Sequence, residues 1–296
     1  MKDLTIVIPT YNRYNEIYGQ IIYLNAFFQG TKVIVIDGTP KEKQRLFNTS
    51  LFPNISIDYI CINKGITERI KIGVSKVKTK YACLIGDDDR LMNEGVNLSI
   101  DCLEEHSEFI ASYGQTFGWT SQEQCFQLYN YSCGPRPFDK ISRVIRSMHF
   151  YTPQLYCSIW RSSEFKKVVN IAAASVWSSG QVFELLVILA GNLYGNHFCI
   201  EAPYWERSIK NNTVTEGIDR ITSISSWMDK HPNELDIAKN TLKKYFEQDK
   251  DLIELAFLEY AFFAENRQLL ESSGAMEYKY MATSKNAFPE SKTLSK

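Results

Sequence analysis

Residues 4–13 read Leu-Thr-Ile-Val-Ile-Pro-Thr-Tyr-Asn-Arg: an apolar, β-branched run stopped by a proline and followed at once by polar and aromatic side chains. β-Branched residues pack well on a pleated surface, so Leu4–Ile8 predicts a buried strand. A helix-like stretch, Asn15–Phe28, follows it. The same beat continues along the chain. Strand-like runs fall at Lys32–Ile36, Ile55–Ile62, Tyr81–Ile85 and Phe109–Tyr113, and helix-like stretches at Ile66–Val77 and Glu94–Glu105 lie between them. Near-continuous apolar strands need cover on both faces, which predicts an α/β fold with a mostly parallel sheet flanked by helices. Ligands on such sheets bind outside the carboxyl ends of the strands. Four of those ends carry chemistry: Pro9-Thr10-Tyr11-Asn12, Asp37-Gly38-Thr39-Pro40, Asn63-Lys64-Gly65 and Gly86-Asp87-Asp88-Asp89.

The rest of the chain sets bounds on this pattern. Its 296 residues suggest two domains, or one large α/β domain with an appendage. Lys and Arg number 33 against 34 Asp and Glu, so no net charge draws the protein to nucleic acid, and no nucleic-acid partner is expected. At 44% hydrophobic and 23% charged it has the mass for a real core. The seven cysteines contain no C-x-x-C pair and sit in apolar runs, which predicts buried reduced thiols and a cytoplasmic location. The N-terminus is too short and too β-branched for a signal peptide. Val182–Ala190, the most apolar stretch, falls short of the roughly 20 residues a membrane span needs.

The rhythm breaks over residues 114–153, which are aromatic and polar and include the turn Gly134-Pro135-Arg136-Pro137. A strand is expected at Leu155–Trp160, a helix at Glu164–Val169, an apolar helix at Gln181–Ala190 ending at Gly191, and a strand near His197–Ile200. Beyond about Arg220 the pattern reads as helical to the end, with Asp251–Leu270 the longest piece and about fifteen frayed residues after it.

Three adjacent carboxylates, Asp87, Asp88 and Asp89, repel one another, and only Arg90 compensates them locally. Strand geometry sends Asp87 and Asp89 to one side and Asp88 to the other. Either a hard divalent cation takes them as oxygen ligands, or they form a solvated acidic turn. The first strand is not followed by G-x-G-x-x-G, and no G-x-x-x-x-G-K-[ST] occurs, so neither a dinucleotide fold nor a P-loop is expected. Glu184 stands among Val182, Phe183, Leu185 and Leu186, where burying a carboxylate is costly. A raised pKa there would suit it to proton abstraction. The structural alternative pairs it with Arg161 or Arg207. Trp119, Tyr151, Tyr156 and Trp160 read equally as a sugar platform or as core.

Together, LTIVIPTYNR, VIVIDGT, NKGITERIKIG and YACLIGDDD, in that order within residues 4–90, resemble the nucleotide-sugar-binding half of the family 2 glycosyltransferases, which have the GT-A fold. The resemblance implies that Thr10, Tyr11 and Arg13 line a nucleotide pocket, that Asp37 contacts the nucleoside, and that Asn63, Gly65 and Arg69 lie near the diphosphate. It casts Asp87 and Asp89 as the D-x-D ligands of Mn2+ or Mg2+, and Asp88 as facing the sugar. Glu184 falls where the family has its general base, although the usual Glu-Asp pair reads Phe183-Glu184 here. Arg207 matches an Arg-x-His segment whose histidine is Ile209 in this chain. The implied protein is a metal-dependent, inverting glycosyltransferase using a nucleotide-diphosphate sugar and a glycan or lipid-linked acceptor. Its implied setting is the synthesis of bacterial-type surface polysaccharide or glycoconjugate, in the cytoplasm with room for peripheral contact at the inner membrane face. Residues 1–215 would form the GT-A domain, with 1–113 binding donor and 114–215 acceptor, and 216–296 would be helices that support it or form a homo-oligomer. Two rivals stand beside this expectation. A nucleotidyltransferase needs a glycine-rich basic loop after the first strand, which Pro9-Thr10-Tyr11-Asn12 is not. A catalytically degenerate sugar-binding relative is favoured by the altered base block and missing histidine, and opposed by the intact Asp87, Asp89 and Arg69.

Overall fold

The computed structural model describes residues 3–120, 125–129, 134–135, 139–149, 151, 153–208, 227, 230–272 and 278–282. The first four long strands are β1 (Leu4–Thr10), β2 (Lys32–Asp37), β3 (Ser56–Cys61) and β4 (Tyr81–Leu84). They lie in the order β3-β2-β1-β4, all parallel, with Val7 opposite both Ile34 and Leu84. The central side chains of β1, β2 and β4, from Ile6 through Val35 to Cys83, are fully buried, as their β-branched, non-alternating pattern requires, whereas those of the edge strand β3 are half-buried. Helices α1 (Tyr14–Phe27) and α2 (Ile66–Ser75) cover this part of the sheet. A β-carbon at Gly73 would stand 2.8 Å from both Ile36 and Val7, so glycine lets α2 settle against β1 and β2. That contact carries Arg69, one turn earlier, to the ends of the same strands.

The mostly parallel arrangement stops at β4. A short strand β5 (Arg90–Leu91) leads to α3 (Asn93–Glu105), β6 (Phe109–Thr120), β7 (Cys125–Tyr129), β8 (Gly134–Pro135) and α4 (Lys140–His149). After a tight turn at Pro153–Leu155 come β9 (Ile159–Arg161), α5 (Ser162–Ala172), α6 (Gly180–Tyr194) and β10 (Asn196–Ser208). Strands β9, β6 and β7 extend the sheet from β4 by antiparallel pairing. Among the described residues of this half, only β10, parallel to β6, continues the first pattern. The sheet is therefore mixed, because hairpin-like returns replace helical crossovers where the apolar rhythm breaks.

Several elements depart from expectation. The strand predicted over Leu155–Trp160 is shortened, since Leu155 turns back to accept the Trp160 indole N–H at 3.1 Å. Strand β10 runs on past Ile200 because register shifts at Cys199, Pro203 and Trp205 absorb a proline that cannot donate to the ladder. Helix α4 lies in the stretch read only as irregular.

The C-terminal part contains α7 (Glu234–Tyr245), α8 (Lys250–Ser272) and β11 (Tyr278–Ala282). It is not helical to the end: β11 pairs antiparallel with β7 and gives that strand a partner. Ile253, Ala256, Phe257, Tyr260 and Phe263 of α8 join the main core, and Leu255, Leu258 and Phe262 face outward. Among the described residues no helix is long and apolar enough to cross a membrane.

Candidate active site

Strands β1 and β2 end side by side, and local hydrogen bonds shape the loops beyond them. Asn12 takes a left-handed conformation (φ 54°), which asparagine tolerates, and its N–H donates to Thr39 Oγ1 at 2.8 Å. Asp37 accepts from the Thr39 N–H at 2.8 Å and from the Tyr59 hydroxyl at 2.7 Å. The Tyr59 phenol is pushed up, first by burial and then by this carboxylate, so it stays a donor. A cleft of about 380 Å³ opens here, lined by Thr10, Arg13 and Asp37 together with Lys43 and Arg45. Sequence reasoning missed those two cations. Their signal was the basic, polar insert after β2, Lys41 to Arg45.

Arg69 lies inside the protein, not on its surface. Its side chain is fully buried, one Nη donates to the Thr10 carbonyl, and its guanidinium lies 5.7 Å from the Tyr11 ring. A β-carbon at Gly38 would be 2.7 Å from the guanidinium, so only glycine leaves it room. Burial lowers its pKa to about 10 while Asp37, Tyr11 and Asp87 pull it back up. Arg69 thus lies behind the cleft wall. Asn63 and Gly65 are exposed at the N-terminus of α2, outside the cleft lining.

The three aspartates have three surroundings. Asp87 is buried, with Oδ1 2.8 Å from Arg13 Nη1 and Oδ2 accepting from the Thr10 hydroxyl at 2.7 Å. Burial raises its pKa to about 6 against the pull of Arg13. Asp88 pairs with the other Arg13 nitrogen at 2.5 Å. Asp89 Oδ1 accepts the Ser208 N–H at 3.0 Å, which ties the end of β10 to the end of β4. Its pKa rises to about 7, chiefly through burial and then through Asp88. Arg207 and the nearby Trp205 indole lower it, although the indole N–H makes no hydrogen bond of standard geometry there.

These contacts bear on a metal. Both Asp87 oxygens are committed to Arg13 and Thr10, whereas Asp89 is short of positive charge and offers a hard oxygen donor. The donor chemistry therefore fits a divalent cation at Asp89. Among the described residues no three His, Cys, Asp or Glu groups form a cage, so such a cation would need ligands from outside the chain.

Glu184 lies in the first turns of α6, whose N-cap is Ser179. The residue keeps some open surface, yet its carboxyl is desolvated enough to raise its pKa, while Arg207 and then Tyr151 pull it down. The Tyr151 hydroxyl donates to Oε1 at 2.7 Å. Arg161 is occupied elsewhere, by the carbonyls of Phe109 at 2.8 Å and His106 at 3.0 Å. Of the two expected partners it is Arg207 whose charge Glu184 feels. Tyr156 and Cys157 sense both Asp89 and Glu184, which puts residues 89, 184 and 207 in one neighbourhood. Trp160 is core, stacked on Phe165, and the Trp119 side chain lies outside the described residues. Sequence reasoning also missed Glu234, a buried carboxylate that accepts from Ser178 and, at 2.6 Å, from the Trp227 indole. It anchors the loop that starts α6.

No protein-family model and no curated protein matches the chain. Solved structures do. The fold is similar to that of S. aureus TarS. The crystal structure of TarS 1–349 superposes with a TM-score of 0.52 at 12% identity, over 93% of this chain and 92% of that one. TarS 1–349 in complex with UDP-GlcNAc gives 0.51 at 12% identity over the same shares. A longer TarS structure gives 0.50, with 90% of this chain covering 55% of it. At this identity the likeness to TarS is one of fold: a GT-A-like α/β sheet flanked by helices.

Proposed function

We propose that this protein is a glycosyltransferase that moves a sugar from a nucleotide-diphosphate sugar to an acceptor hydroxyl. The cleft at the ends of β1 and β2, where Arg13 holds Asp87 at 2.8 Å and Asp88 at 2.5 Å beside Thr10 and Asp37, carries this reading. The UDP-GlcNAc bound to TarS supports a UDP-sugar as donor. Thr10, Arg13 and Asp37 hold the nucleotide, and Lys43 and Arg45 of the cleft lining offset phosphate charge. The charge of Arg207, which acts on both Glu184 and Asp89, favours the ionised form of the base. The Glu184 carboxylate takes the proton of the acceptor hydroxyl, whose oxygen attacks the anomeric carbon from the face opposite the leaving diphosphate, with inversion. A Mn2+ or Mg2+ ion held by Asp89 would supply Lewis-acid stabilisation of that diphosphate. The acceptor is a glycan or lipid-linked glycan on the cytoplasmic side, in surface polysaccharide or glycoconjugate synthesis.

Glu184→Gln tests the assignment with UDP-GlcNAc as donor. Turnover should fall by about 10²–10⁴-fold, with donor affinity by calorimetry and melting temperature close to wild type. Near-normal turnover by the folded variant would refute it.

A further inference from the structure

We propose that Tyr151 is the positioning residue for Glu184, and that helix α8 holds Tyr151 in place. This rests on Glu184 as base. The Tyr151 hydroxyl binds one oxygen of the carboxylate, Oε1, at 2.7 Å. Its ring meets Tyr260 edge-on at 5.0 Å and leans on Phe263 at 5.9 Å, both on the buried face of α8. Two residues earlier, His149 bonds Glu259 at 2.8 Å and stacks on Phe262 at 5.7 Å. Helix α8 thus grips both ends of the short segment 149–151 just before it reaches Glu184. Burial and the adjacent Glu184 push the Tyr151 phenol well above its ordinary range, so it remains a donor throughout the working pH range.

That hydrogen bond has a defined chemical effect. A donor to Oε1 stabilises the ionised carboxylate and locks its orientation, leaving Oε2 to accept a proton. The other groups that bear on Glu184 are Arg207 of β10 and, from the turn before β9, Tyr156 and Cys157, with Asp89 acting on those two. From α8 Tyr260 acts through Tyr151. On other elements packed against α6, Arg143 of α4 binds the Asn192 carbonyl, Lys167 of α5 binds Tyr194, and Glu234 of α7 binds Ser178. α2 brings Ile66 against Gly180. Tyr151 is therefore a neutral group, hydrogen-bonded to the base, that tunes it without changing the charge of the site.

Tyr151→Phe removes the hydroxyl and keeps the ring on Tyr260 and Phe263. The full-length protein, labelled with ¹³C-carboxyl glutamate, would be titrated by NMR, with the Glu184 signal assigned by its loss in Glu184→Gln. The Glu184 midpoint should rise by about one to two pH units. The acidic limb of kcat with UDP-GlcNAc should move up equally, with KM unchanged and the protein still folded. Phe263→Leu should shift both in the same direction by less. An unmoved midpoint in folded Tyr151→Phe would overturn the role of Tyr151, and an unmoved one in folded Phe263→Leu would overturn that of α8. Normal turnover by Glu184→Gln would instead overturn the base assignment beneath both, whatever Tyr151→Phe does.

Discussion

Arg69 offers a sharp separation of folding from function. Its folded pKa is about 10 against an ordinary 12.5, although Asp37, Tyr11 and Asp87 all favour its charge. The depression means that holding the guanidinium charged in its buried place opposes folding. At about 1.4 kcal/mol per pH unit, that opposition is about 3 kcal/mol. For a base with a lowered folded pKa the penalty is fully present below the folded value, and stability recovers only as pH rises from about 10 towards 12.5. At pH 8 it is constant. Arg69→Met keeps apolar volume and removes the charge, at the expense of leaving the Thr10 carbonyl without this donor, a loss of about 1–3 kcal/mol. The variant should therefore be as stable as wild type or up to about 2 kcal/mol more so, despite losing the charge of a fully buried side chain. Binding should behave oppositely. Without Arg69 the carboxylates of Asp37 and Asp87 lose a balancing cation behind the cleft, and UDP affinity should fall by at least about tenfold, or 1.4 kcal/mol. Urea denaturation at pH 8 and calorimetric titration with UDP measure both. A variant destabilised by 3 kcal/mol or more that still binds UDP like wild type would refute this account and make Arg69 a structural residue only.

Asp89→Asn should weaken UDP binding chiefly when Mn2+ is present, because Asp89 is the aspartate whose surroundings suit a cation. Equal wild-type UDP binding in chelator and in Mn2+ would remove the metal from the site. Glu234→Gln should lower stability by about 1.5–3 kcal/mol, since it weakens charge-assisted hydrogen bonds to Ser178 and Trp227. A matching change in indole fluorescence should report Trp227, and an unchanged denaturation midpoint would show that the anchor of α6 contributes nothing.

Locally coded features were legible in the chain itself. The parallel run β3-β2-β1-β4 follows from apolar, β-branched segments that repeat and need cover on both faces, and α1, α2 and α3 begin within a residue of their expected starts. The strand-end residues Thr10, Arg13 and Asp37 meet in one cleft because parallel neighbours end at the same edge. The antiparallel half, the long bulged β10 and the closing β11 depend on partners far away in sequence, and no short window encodes them. The same holds within the site. That Asp87 binds Arg13, that Glu184 feels Arg207 and not Arg161, and that Tyr151 reaches Glu184 with α8 behind it were decided only by tertiary packing. Periodicity reports which face of a segment avoids water. It does not report which of several cations a buried carboxylate will meet, since that depends on how distant segments are brought together.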